Sequence, residues 1–259
     1  MGALDGKTAL IFGVANHNSV AWAIAQKFAE AGARLAFTYQ ERMESNVRKL
    51  TADMPNSLVI PCDVQRDDEL DTAFAQVGDA FGGLDILIHS VAFAPTDDLK
   101  GRVSQVSRVG FLTAVDISAY SLIALAKRAE PLMERKGGGS IVAMTYLGSE
   151  RVVPGYNLMG LAKATLESAI RYLAWDLGPR QIRVNGISAG PMRTLSARGV
   201  GNINAMFDVV DQVAPLRHNI GQNDVGDLAT FLCSDQGRNL TGDSFFVDAG
   251  FHIMGLGTM

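Results

Sequence analysis

An α/β fold, a doubly wound parallel sheet of about seven strands with helices on both faces in a single domain, is the class this sequence predicts. Three observations predict it. Seven apolar runs recur along the chain, most of them continuous rather than alternating, as strands buried on both faces of a parallel sheet require. Helix-period stretches separate them, which implies right-handed strand–helix–strand units. No repeat, low-complexity tract or linker interrupts the pattern, and 259 residues with 47% hydrophobic content suffice for one large core.

The elements follow in order. "TALIFGV" from Thr8 is the first strand, and the helix after it spans Ser19 to Ala31, with Ser19 as a good N-cap. "RLAFTYQ" from Arg34 and "SLVIPCDV" from Ser57 are the second and third strands, the latter followed by a helix from Asp67 to Phe81. "LDILIHSVA" from Leu84 precedes a long helical stretch, Gly110 to Met133, and "SIVAMTY" from Ser140 precedes another, Tyr156 to Leu177. "IRVNGISAG" from Ile182, a helix from Asp224 to Ser234 and "SFFVDAG" from Ser244 complete the pattern.

Composition excludes several functions. Twenty-three basic against 27 acidic residues give a net charge of −4, which offers nothing to nucleic acid. Cys62 and Cys233 stand alone in apolar runs, without metal spacing, and read as buried thiols. No run approaches the roughly 20 apolar residues of a membrane span, and "MGALDGK" is no secretory leader. The expectation is a soluble cytoplasmic protein that binds neither metal nor membrane.

In such a sheet, ligands bind beyond the carboxyl ends of the strands, at the point where strand order reverses. Gly13 ends the first strand, and the loop to Ser19 can bring backbone amides to a pyrophosphate at a helix N-terminus; an ordinary strand–helix turn fits equally well. Gln40, about 20 residues past the loop start, stands where nicotinamide enzymes bind the adenosine ribose, or is a solvated strand end. Its amide does not repel a phosphate, but Glu41 does, so NADH is favoured over NADPH despite Arg42. Asp63 can accept from an adenine amino group or cap the next helix. In "HSVAFAP" the small residues leave room for a ribose, and His89 reads as a packed structural histidine.

The stretch "TYLGSERVVPGYNLMGLAK" carries most of the chemistry. Ordinary short-chain dehydrogenases place Tyr-x-x-x-Lys on this helix, with a serine 13 residues before the tyrosine. Here Met159, which has no proton to donate, stands four residues before Lys163, and Tyr146 stands in the serine's place. Tyr156 lies seven residues before Lys163, close to two turns, so the two share a helix face about 10 Å apart along the axis. A core tyrosine beside a surface lysine is the competing reading.

With Gly-x-x-x-x-x-Ser from Gly13 to Ser19, "AFTYQ", "CDV", "HSVAFAP", Tyr-x-x-x-x-x-x-Lys from Tyr156 to Lys163, "RVNGISAGPMRT" and "FLCSD", essentially the whole chain resembles the bacterial enoyl-acyl carrier protein reductases of the short-chain dehydrogenase superfamily, a Rossmann-like fold. The resemblance implies reduction of a trans-2-enoyl thioester by NADH in the last step of fatty-acid elongation. It implies Tyr156 as the donor to the thioester oxygen, Lys163 on the nicotinamide ribose and Tyr146 assisting. Ser19 and Val20 would touch the pyrophosphate, Asp63 and Val64 the adenine, and Ser90 and Val91 the nicotinamide ribose. Met192, Arg193, Thr194, Leu195 and Ser196 would hold the carboxamide and phosphate. Ala94, Tyr146, Tyr156, Met159 and Met206 would meet the substrate, under a flap from Thr194 to Phe207 that could equally be an amphipathic surface helix.

The resemblance also implies a homotetramer and an acidic carrier protein as partner. Basic residues that the family often carries just after the flap begins are missing, since Gly201 to Ala205 carry no charge; Arg193, Arg198 and Arg217 are the alternatives. A carbonyl reductase for 3-ketoacyl thioesters, using Tyr156 or Tyr146 as acid, and a non-catalytic nucleotide-binding regulator are the other readings. The first is opposed by Met159, the second by the retained tyrosine and lysine.

Overall fold

The computed structural model describes residues 2–54, 56–194 and 203–255. Seven parallel strands form one sheet in the order β3-β2-β1-β4-β5-β6-β7. They are β1 Thr8–Phe12, β2 Arg34–Tyr39, β3 Leu58–Pro61, β4 Ile86–His89, β5 Gly139–Thr145, β6 Ile182–Ala189 and β7 Ser244–Val247. All seven expected strands are present. Each ends a little before its apolar run does, because the last residues turn out over the sheet edge toward the site.

The helices are α1 Val20–Glu30, α2 Glu44–Thr51, α3 Asp67–Phe81, α4 Thr96–Lys100, α5 Arg108–Val115, α6 Ser121–Glu134, α7 Asn157–Leu177, α8 Ile203–Val213 and α9 Gln222–Cys233. Helices α2 and α4 were not assigned from the sequence, and α8 begins in the stretch read as either a flap or an amphipathic surface helix; α2 is a polar eight-residue segment burying only Val47 and Thr51. Alternate strand residues serve opposite faces. Leu10, Phe12 and Leu87 pack with Phe74 of α3, Leu125 of α6 and Ile170 of α7. Ile11, Ile86 and Ile88 pack with Ile24 and Phe28 of α1 and Leu232 of α9. The sheet is therefore covered on both sides, as its continuous apolar strands require.

Two sequence readings are corrected here. The expected helix Gly110 to Met133 runs continuously from Arg108 to Glu134 through a π turn, Asp116–Tyr120. Its 27 residues, which include an 18-residue window of mean hydropathy 1.7, are long and apolar enough to cross a membrane by length and composition, which the reading had denied. Within the fold it is a core helix, 56% of that window being buried against the sheet and its neighbours. The π turn also has a use. Ser118 Oγ accepts from Phe93 N at 3.0 Å and lies 3.1 Å from Phe93 O, which fixes the segment after β4.

The second correction concerns Ser19. It holds the N-cap backbone position of α1, but its hydroxyl does not cap the helix. Its Oγ accepts instead from Ala15 N and Asn16 N, both at 3.0 Å, folding the preceding loop onto itself. Asn16 Oδ1 accepts from Asn18 N at 2.9 Å. These residues build the loop.

Strand order reverses between β1 and β4, where Phe12 lies opposite His89. Gly13 follows at φ 107°, and a Cβ there would collide with the carbonyl of Ser90. Left-handed backbone alone costs a side chain about 1–3 kcal/mol, and the clash adds to it. Gly13→Ala is therefore expected to lower the urea midpoint of unfolding markedly, by more than the backbone cost alone; an unchanged midpoint would show that this turn tolerates a side chain.

Candidate active site

The switch point gathers the residues that the sequence singled out. At one end, Gln40 after β2 and Asp63 after β3 are joined, Gln40 Nε2 donating to Asp63 Oδ2 at 3.2 Å. Gln40 Oε1 accepts from Arg42 Nη2 at 2.9 Å and Nε at 3.2 Å. Asp63 does not cap α3, whose N-cap residue is Arg66; its Oδ1 accepts from Gln65 N at 3.1 Å. Val64 packs on the core beside it. In the middle, Gly13 and Ser90 approach closely, with Val20 and Val91 set on opposite core layers at the heads of their loops. His89 is fully buried, its Nε2 2.7 Å from Ser121 Oγ. Because Ser121 Oγ donates to Ile117 O at 2.6 Å, the imidazole donates from Nε2. Burial, then Lys163, pushes its pKa down to about 3, so it is the neutral structural histidine expected.

At the other end lie Tyr146, Tyr156 and Lys163. The turn Leu147–Ser149 after β5 presses against α7. A Cβ at Gly148 would overlap the Tyr156 ring, and one at Gly160 would come within 2.7 Å of Gly148 O, so glycine at both permits the approach. The rings of Tyr146 and Tyr156 then meet edge to face, 4.7 Å between centroids and 63° between planes. Lys163 is no surface lysine. It is 5% exposed and donates from Nζ to Met144 O at 2.6 Å. Burial lowers its pKa to about 8, against the pull of Glu167, which raises it. Burial, reinforced by Asp248, raises Tyr146 to about 12. Burial, then Tyr146 and Glu167, pushes Tyr156 higher still. Both tyrosines are thus protonated at neutral pH, as donors must be.

Met159 is buried in a small cluster with Ala94, Leu99 and Leu158, against which Tyr156 packs. It forms the wall beneath the tyrosines, where a side chain without polar hydrogens is at home. Tyr146 also lines a cleft of about 500 Å³ with Pro154, Pro191, Met206 and Val210. Met192 packs on the core and accepts at its carbonyl from Thr194 N at 2.9 Å. Arg193 spends its guanidinium on α8, bonding Asn204 Oδ1 at 2.9 Å and lying 4.6 Å over the Phe207 ring. Leu195, Ser196, Arg198 and much of the expected flap lie outside the described residues.

These residues lie along the carboxyl ends of the strands, with a glycine turn without room for a Cβ at the switch point and a buried lysine beyond β5. A family model described as Enoyl-(Acyl carrier protein) reductase matches residues 13–252. The chain belongs to the enoyl-acyl carrier protein reductase family. It is 51% identical to the NADH-dependent enoyl-acyl carrier protein reductase FabI of Bacillus cereus, over 98% of this chain and 100% of that one. Identity to the NADPH-named FabI of Staphylococcus aureus MRSA252 is 48%, over 97% and 98%. The crystal structure of the Bacillus cereus reductase with NADP+ and an indole naphthyridinone superposes with a TM-score of 0.96 at 50% identity, over 99% and 100% of the two chains. The Anaplasma phagocytophilum reductase in complex with NAD superposes at 0.95 with 42% identity, over 100% and 98%. This reductase is an oxidoreductase of fatty-acid biosynthesis with a nicotinamide cofactor.

One group was not singled out by sequence reading. Glu167, buried on α7 one turn past Lys163, accepts from two hydroxyls of the β5 turn. The i,i+4 spacing from Lys163 was the available signal. The lysine offers a direct check of this electrostatic arrangement. Its side-chain carbon shifts, followed by NMR in the protein without cofactor, are expected to titrate near 8; a midpoint near 10.5, the ordinary value for lysine, would contradict the buried geometry.

Proposed function

We propose that this reductase saturates the trans-2 double bond of enoyl thioesters, with Tyr156, Tyr146 and Lys163 as its working side chains. NADH supplies the hydride to the β-carbon. As that carbon is reduced, negative charge develops on the thioester oxygen. A hydroxyl already aimed at that oxygen stabilises it, one such donor being worth about 3–4 kcal/mol. Tyr156 is assigned this donation, because its surroundings keep it protonated. Tyr146, edge-on to it, is assigned to orient Tyr156 and line the thioester end. Lys163 is assigned to the nicotinamide ribose, its ammonium anchored on the β5 carbonyl. The single observation that carries this reading is the Tyr146–Tyr156 pair above a buried Met159. The donor is displaced along α7 from the place where a ketone's oxygen would need it, as conjugate reduction requires.

The remaining contacts are assigned by position. Gln40, Asp63 and Val64 take the adenosine, Gly13, Ser19 and Val20 the pyrophosphate, and Ser90 and Val91 the ribose. Met192 to Ser196 take the carboxamide and phosphate. Ala94, Met159 and Met206 take the acyl thioester under a flap of about residues 194–207, completing one domain over 1–259. With Arg193 engaged by α8, Arg217 is the basic residue left among the described alternatives for docking the acidic carrier protein. NADH and carrier-bound acyl intermediates are cytoplasmic, so the enzyme is assigned there. A homotetramer is supported by apolar groups left in solvent on adjacent helices: Val109 and Leu112 of α5, and Tyr172 and Trp175 of α7, the last 81% exposed.

The purified protein is expected to oxidise NADH with a crotonyl thioester and not with a β-ketoacyl thioester; the reverse would establish the carbonyl reductase instead. Tyr156→Phe is expected to lower kcat roughly 10²–10³-fold with NADH affinity unchanged, whereas Lys163→Ala weakens NADH binding. Loss of cofactor affinity in Tyr156→Phe would overturn the division of roles. Trp175→Glu is expected to shift sedimentation from a tetramer to smaller species; an unchanged tetramer would place the interface elsewhere.

A further inference from the structure

We infer that Glu167 is a positioning residue for Tyr146, acting through the hydroxyls of Thr145 and Ser149 on either side of it. Glu167 is 6% exposed, and no ion pair to it is made among the described residues. A buried carboxylate is costly unless hydrogen bonds compensate it. Here one oxygen, Oε1, accepts from Thr145 Oγ1 at 2.5 Å and from Ser149 Oγ at 2.6 Å. Bonds from a hydroxyl to a carboxylate are short and about twice as strong as neutral ones.

The donors' places give the arrangement its meaning. Thr145 is the last residue of β5, and Ser149 closes the turn that follows. Between them Tyr146 stands in extended backbone, φ −156° and ψ 148°. Ser149 N also donates to the Tyr146 carbonyl at 3.0 Å, and its Oγ, whose one proton goes to the nearer Glu167, lies 2.9 Å from the same carbonyl. Glu167 thus ties the residues before and after Tyr146 to α7, the helix that Tyr156 heads and that carries Lys163. The edge-to-face meeting of the two tyrosines depends on that turn keeping its distance from α7. An apolar residue at 167 would fill the space, leave the buried Thr145 hydroxyl without its acceptor and turn the half-buried Ser149 hydroxyl back to the Tyr146 carbonyl.

This rests on the assignment of Tyr146 to the substrate side. Steady-state kinetics with NADH and a crotonyl thioester test it. Thr145→Val and Ser149→Ala each leave Glu167 one donor, and each is expected to lower kcat/KM for the thioester roughly tenfold through a loosened Tyr146, with the NADH dissociation constant unchanged. Glu167→Gln keeps an oxygen acceptor and is expected to recover most of the activity that Glu167→Leu loses. In a Tyr146→Ala background, Thr145→Val is expected to cost nothing further, since the group it positions is gone. Losses that add in full to Tyr146→Ala, that appear equally in NADH binding, or that Glu167→Gln does not relieve would overturn the proposal as a merely structural effect. Should Tyr146→Ala alone leave kcat/KM unchanged, the assignment of Tyr146 falls, and the proposal with it, whatever the clamp variants do.

Discussion

The close approach of the β5 turn to the first turns of α7 is the constraint on which the site depends. It is made possible by what is missing at Gly148 and Gly160, where a methyl group would strike the Tyr156 ring and the Gly148 carbonyl. It is held by polar contacts that cross the same gap: Lys163 on the Met144 carbonyl, and Glu167 on Thr145 and Ser149. The sheet supplies the base for these contacts, because β5 pairs with β4 on one side and β6 on the other along its length and cannot shift alone. With β5 fixed, every side chain at its carboxyl end has a defined place over the switch point.

That gap also governs the charges. Two tyrosines and a lysine crowd into a region with little water, and each is pushed toward its neutral form. For the tyrosines the neutral form is the hydrogen-bond donor. For the lysine it is the form that carries no charge, and there the opposing pull of Glu167 matters. A single buried carboxylate therefore favours protonation on both sides of the site, on the hydroxyl of Tyr156 and on the ammonium of Lys163. His89, also close enough to feel Lys163, stays neutral and adds no competing cation.

Much of this was legible in the sequence. Continuous apolar runs such as Thr8 to Phe12 announced strands with two covered faces. The seven-residue step from Tyr156 to Lys163, with Met159 between them, announced a tyrosine and a lysine brought together on the side of α7 that meets the β5 turn. What was hidden lies in side-chain direction and tertiary contact. Ser19 reads as a cap, since serine before an apolar helix usually is one; only the folded loop offers it the amides of Ala15 and Asn16. Helix α2 is short and mostly polar, and its inner side offers only Val47, Leu50 and Thr51, too brief a pattern to stand out. The π turn at Asp116–Tyr120 inserts a register shift that a 3.6-residue period passes over, yet it delivers Ser118 to Phe93. Glu167 was not singled out, because its hydroxyl partners come from another element and one of them from a turn.

The end assigned to the adenosine follows a different physical logic from the end assigned to hydride transfer. Around Tyr146 and Lys163 the groups are buried and their bonds are short. At the tips of β2 and β3, Arg42 is exposed, and the contacts from Gln40 to Asp63 and to Arg42 are between 2.9 and 3.2 Å. These contacts, exposed at Arg42 and only partly buried at Asp63, are each worth little in net stability, so on the proposed assignment the tips would exchange partners for a ribose without disturbing the fold. On the assignments proposed above, precision lies where atoms would be aligned for hydride transfer and adaptable polar groups lie where the nucleoside would be held. Relatives named for NADH and for NADPH, at 51% and 48% identity, fit that division: cofactor preference would change at the tips while the gap between β5 and α7 stays the same.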